Sequence, residues 1–206
     1  RKLSRENRLT YDVLDYYLEL SKKESDYLLY EEPMGTVSGV QTQIPVLLSE
    51  YQFQSKEDVD AYLELMKTTP DYFNSLIAFE QEKAQKGLFM ASYTADTVIE
   101  QCQAFIDMGD SNYLISTFVD RIQKLTDLSE SEKSDYIQKN AYMLKTYVLT
   151  AYQQLIKTVV ELKDSGKNEE GLCYLPNGKE YYELTVQAST GSARTVPQLQ
   201  KLTKNQ

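Results

Sequence analysis

The chain has 206 residues, 41% of them hydrophobic and 26% charged, enough to bury a sizeable core as one ordinary domain or two small ones. A formal net charge of −9 argues against nucleic acid or an anionic membrane as partner, because an acidic surface gains nothing from counterion release. Histidine is absent, which removes the common zinc ligand and the usual base of a serine or cysteine nucleophile.

Helical signals dominate from the start. "LTYDVLDYYLEL" sets Leu14, Tyr17 and Leu18 on one face with Thr10 as a candidate cap, the pattern of an amphipathic helix. The stretch "EEPMGTVSGVQTQIPVLLSEYQF" then carries Pro33, Gly35, Gly39 and Pro45, and reads as an irregular, packed connector. Ser55 with Asp58 forms a capping-box pattern ahead of a Val59, Tyr62, Leu63 and Met66 stripe. Thr69 and Pro70 signal the next helix, which turns Phe73, Leu76, Ile77 and Ala84 inward and stops at Gly87.

Thr94 opens a predicted helix with Val98, Cys102 and Phe105, closed by Gly109, and Leu114, Phe118, Ile122 and Leu125 mark another. A second capping box, Ser129 with Glu132, begins the longest predicted helix, running through Tyr136, Met143, Tyr147, Tyr152, Leu155 and Val159 to about Lys163. "KDSGKNEEG" is a polar linker, about 163–171. Asn177-Gly178 marks a turn, and Thr195 with Gln198 is a cap pair before a last helix. The fold expected is all-α: an irregular bundle in a single helical domain over 1–206, with one short β-hairpin allowed near 172–180.

No apolar run is long enough for a spanning helix, and the start at Arg1 shows no signal peptide or initiator Met, which fits a processed protein or a piece of a longer one. Cys102 and Cys173 are the only cysteines, so a single disulfide is possible and a cysteine-rich metal site is not. The seventeen tyrosines are read chiefly as amphipathic core, Tyr17, Tyr62, Tyr136 and Tyr147 among them. The acidic clusters lie where helix starts and solvated faces explain them. "STGSAR", Ser189 to Arg194, offers backbone N–H groups and a cation to a carboxylate or phosphate, or else is a turn whose hydroxyls cap a helix.

Three stretches in order, "EEPMGTVSGVQTQIPVLLSEYQF", "DVDAYLELMKTTPDYFNSLIAFEQEKAQKGLFM" and "LPNGKEYYELTVQASTGSARTVPQLQKL", together resemble the bacterial family DUF885 over about Leu9 to Leu202. The resemblance implies large, mostly helical proteins with a predicted gluzincin-type zinc-peptidase domain, whose HExxH helix follows the Thr-Gly-Ser corner. On that reading this chain is a non-catalytic internal piece, part of one wall of a substrate cleft, with no cofactor of its own and zinc expected in the parent protein. Its partners would be the C-terminal catalytic portion of the same protein and a peptide substrate, contacted by Tyr181, Tyr182, Thr190, Gly191, Ser192 and Arg194. The resemblance also implies an extracytoplasmic or cell-surface home, lipid-anchored in the parent, with the cytoplasm as alternative. A helical peptide- or solute-binding module of a secreted lipoprotein is the second class of function, and a self-contained carboxylate enzyme the third.

Overall fold

The computed structural model describes residues 3–204, and every regular element among them is helical. The ten α-helices are α1 (Arg5–Glu24), α2 (Val40–Glu50), α3 (Lys56–Lys67), α4 (Thr69–Gln85), α5 (Ser92–Asp107), α6 (Tyr113–Ile122), α7 (Glu130–Met143), α8 (Leu149–Leu162), α9 (Gly178–Thr190) and α10 (Val196–Lys204). The chain divides into two compact units: a smaller one of Arg1–Glu31 with Lys167–Gln206, and a larger one of Glu32–Gly166. The second boundary falls within the polar 163–171 stretch.

In the larger unit, α8 packs against α4 and α5, and α7 against α3 and α6. Its interior is aromatic. Tyr62 and Phe118 are wholly buried, with ring centroids 5.6 Å apart, and Phe53 meets both edge-on. Arg121 lies over Phe53 at 4.5 Å, and its Nη1 donates to the Leu48 and Tyr51 carbonyls at 3.0 and 2.5 Å, holding the end of α2. Phe73, Phe105 and Tyr152 form a second aromatic group. Cys102 is buried and free, and desolvation pushes its thiol up to about 12, so it is an inert packing residue. Cys173 is free and exposed.

Both predicted capping boxes form, Ser55 with Asp58 and Ser129 with Glu132. The helix after Ser129 needs an extra device. Tyr136, Asn140, Leu144, Val148 and Tyr152 are all buried and each is four residues from the next. On an ideal α-helix a four-residue step overshoots one turn by about 40°, so this stripe would drift off the core. A π-helical stretch at Leu144–Val148 takes up the surplus and keeps one face inward from α7 into α8.

Three expectations are corrected. The segment around Pro45 is helical from Val40 to Glu50, so the irregular connector is shorter than predicted. Proline cannot donate to the carbonyl four residues back, and the freed Gln41 oxygen is taken by the Tyr152 hydroxyl at 2.5 Å. The hairpin allowed near 172–180 is a 3₁₀ turn at Leu172–Tyr174 followed by α9. Asn177 does adopt the left-handed conformation that its pairing with glycine suggested (φ 52°), but it leads into a helix. Finally, Leu14, Tyr17 and Leu18 of α1 are exposed, and Leu20 is the buried residue of that helix.

Candidate functional site

The candidate residues of the C-terminal stretch all belong to the smaller unit, and its local sequence explains their placing. Gly171 (φ 120°) turns the chain into the Leu172–Tyr174 turn, and the Leu175 side chain is buried behind it. Gly178 must be glycine, because a Cβ there would fall on the Leu172 carbonyl oxygen. The Tyr30 hydroxyl donates to the Pro176 carbonyl, tying this turn to the Ser25–Tyr30 segment that follows α1.

Adjacent tyrosines on a helix diverge by about 100°, and Tyr181 and Tyr182 accordingly do different things. Tyr181 packs on Tyr27 and Tyr30, at ring-centroid distances of 5.4 and 4.9 Å, and joins α9 to the end of α1. Burial, then the neighbouring Tyr27 and Glu180, raise the pKa of Tyr30, so its hydroxyl stays neutral across the physiological range. Tyr182 is half exposed and lines a shallow hollow of about 430 Å³ with Leu172, Cys173, Lys179, Glu183 and Val196. Glu183 also accepts the Val196 N–H at 3.1 Å, which anchors the first turn of α10.

The Thr-Gly-Ser corner ends α9. Gly191 (φ 63°) is its C-cap, with its N–H on the Gln187 carbonyl at 2.9 Å. Thr190 Oγ1 donates back to Val186 at 2.7 Å, the Ser192 N–H donates to Thr190 Oγ1 at 3.3 Å, and the Arg194 N–H to Ser192 Oγ at 3.3 Å. These hydroxyls therefore serve the turn. Arg194 itself lines a separate hollow of about 350 Å³ with Gln198, Lys201 and Leu202. Thr195 accepts no such role: its N–H donates to Gln198 Oε1 at 2.9 Å, the cap pair read from sequence.

Tyr182 and Arg194 thus face different hollows, and Tyr181 is occupied by packing. Sequence reading missed Lys179 and Glu183, although their i, i+3, i+4 spacing with Tyr182 puts the three on one helical face. Tyr182 and Lys179 can donate hydrogen bonds beside an apolar floor, and Arg194 with Lys201 can pair with a carboxylate. Among the described residues no group of three His, Cys, Asp or Glu side chains could hold a metal ion, and the sequence has no histidine. The described residues do not fit a zinc site.

An all-helical protein with shallow hollows on its terminal unit is the class these features define. The chain belongs to DUF885, a family described as bacterial protein of unknown function, whose model matches residues 1–206. No curated protein matches the sequence. Among solved structures, it is similar to one described as "the putative lipoprotein from Colwellia psychrerythraea", at 17% identity and a TM-score of 0.76. The match covers 81% of this chain and 29% of that one, so this chain spans under a third of the solved relative's length. At that identity the likeness establishes the helical fold. No helix among the described residues is long and apolar enough to cross a membrane.

Proposed function

We propose that this chain is a helical interaction module of an extracytoplasmic DUF885 protein, and that its work is to bind neighbouring polypeptide. The observation that carries this is α1. Over 20 residues it buries only Leu20, while Leu9, Tyr11, Val13, Leu14, Tyr17 and Leu18 stand exposed in one band that wraps about 200° of its circumference. An exposed apolar band this wide suits an element covered by further polypeptide. The larger size of the solved relative supports the same reading, and its description as a lipoprotein supports a home outside the cytoplasm. The test is hydrogen exchange of α1 in the 206-residue chain and in the longest natural polypeptide that contains it. Slower exchange in the longer protein is expected, and equal exchange sinks the proposal.

A second reading keeps the peptidase expectation. The exposed Tyr182 and Arg194 favour it, as donors able to contact a peptide's carbonyl and carboxylate groups, although one Arg194 Nη1 N–H already donates to Ser192 Oγ at 3.4 Å. On this reading the chain forms part of a cleft wall, with Tyr181, Thr190, Gly191 and Ser192 holding those two in place, and zinc belongs to another part of the protein. Peptide binding by the parent protein, weakened by Tyr182→Phe and Arg194→Ala, is the expected result. Unchanged binding in both variants removes the cleft wall and leaves the interaction module.

A further inference from the structure

The larger unit contains an ionic group that neither reading uses. Lys83 on α4 is fully buried. Its Nζ lies 2.8 Å from Glu32 Oε2 and 3.8 Å from Glu80 Oε2. Glu80 is one turn back on the same helix and 1% exposed, and neither of its carboxylate oxygens has a hydrogen-bond partner. Glu32 is the residue at which the chain enters the larger unit. It begins the 32–39 connector, whose own fastenings are the Val40 N–H on the Pro33 carbonyl (2.9 Å), Gln41 Nε2 on Gly35 (2.7 Å) and Gln101 Nε2 on Thr36 (2.9 Å).

Two carboxylates beside one buried ammonium cannot both be ionised cheaply, because the second charge has no counter-ion and no hydrogen bonds. The proton belongs on Glu80, the deeper and less bonded of the two. The geometry points to a pH-dependent latch: protonated Glu80 leaves Lys83 to grip Glu32 and close the connector, while loss of that proton to solvent makes Glu80 a rival for the ammonium and loosens the grip. Buried side chains from the elements packed on α4 bring no further counter-charge. From α8 they are Ala151, Tyr152, Leu155, Thr158 and Val159, from the π-helical stretch Leu144 and Val148, and from α3 Val59, Tyr62, Leu63 and Met66. Burial raises Tyr62 and Tyr152 above the ordinary phenol range, so both stay neutral. Burial likewise pushes the Glu80 carboxyl up to about 7, against the pull of Lys83 and with the help of Glu32, which places the transition near neutrality.

The test is amide exchange at Val40 in the full chain, corrected for intrinsic rates, between about pH 5.5 and pH 8.5, spanning the ionisation of Glu80. Wild-type protection is expected to fall about tenfold across this range, the size of one pK unit of coupling. Glu80→Gln, which is neutral throughout, should hold its protection constant, and Glu32→Gln should show low protection at both ends. Wild-type protection that ignores pH overturns the latch, as does an equal fall in Glu80→Gln. Should Glu80→Gln fail to fold, the ¹³C carboxyl shift of Glu80 in the wild-type chain decides. A midpoint near neutrality supports the latch, and one in the ordinary carboxylate range overturns it.

Discussion

The two units of this chain are built on opposite principles. Glu32–Gly166 is organised round side chains wholly out of water, among them Tyr62, Phe118, Leu114 and Tyr152, and holds several buried polar groups. One of these, Asn140, spans from α7 to the Leu114 carbonyl at 3.1 Å. The smaller unit buries only Leu20, Leu175, Gly178 and Leu184 among its described residues. Its order comes from stacked tyrosines, from turns with left-handed residues and from helix caps. Helix-forming sequence therefore yields a large buried core in one place and a mostly exposed surface in the other. The difference lies in how much apolar area each unit can hide.

The sharpest way to break this contrast is to delete one core side chain from each unit. Phe118→Ala should cost about 4 kcal/mol in chemical denaturation, since an aromatic ring is lost from a site that cannot collapse. Leu184→Ala should cost roughly half as much, about 2 kcal/mol, because its surroundings can relax. Equal costs would show that the smaller unit is as well packed as the larger.

The buried ionic group gives the larger unit a pH signature. The folded-state pKa of Glu80, about 7, lies above its unfolded value, so folding favours the protonated form. Stability should be highest below the ordinary carboxylate range and decline as pH rises toward about 7, by roughly 2–3 kcal/mol. Glu80→Gln should flatten that slope in urea melts at several pH values, and an unchanged slope would assign the titration elsewhere.

Gly178→Ala probes the smaller unit where backbone approach, not burial area, sets the structure. Displacing the Leu172 carbonyl should cost about 2 kcal/mol, with the spectral changes confined to 171–182. Tyr152→Phe removes the donor that satisfies Gln41 beneath Pro45, and a loss of about 1–2 kcal/mol is expected from the orphaned carbonyl. The smallest effect contrasts two helix caps. Ser129→Ala, in a full capping box, should lose about 1 kcal/mol of global stability. Ser4→Ala, which uncaps the exposed α1, should fray that helix in circular dichroism and leave the global midpoint in place.

Helix starts were legible because their signals are local. Ser55 with Asp58, Ser129 with Glu132, and Thr195 with Gln198 each act within one turn. Pro45 misled for the same reason: the proline was visible, while the tyrosine that satisfies its orphaned carbonyl lies over a hundred residues away. In the candidate site, the turn residues Gly178 and Gly191 were visible from sequence. The parting of Tyr181 from Tyr182 depended on Tyr27 and Tyr30, which come from the other end of the chain.

The sequence alone determined the all-helical class, the capped helix starts at Ser55, Ser129 and Thr195, the core stripes of α3 to α6 and the absence of histidine, since composition and short-range periodicity carry these. Only the tertiary structure decided that the first and last segments join in one unit, that the tyrosine-rich helix α1 stays exposed, and that Glu80 meets Lys83 and Glu32 out of water. Burial is a property of what folds on top of a residue, and periodicity describes only the residue's own helix.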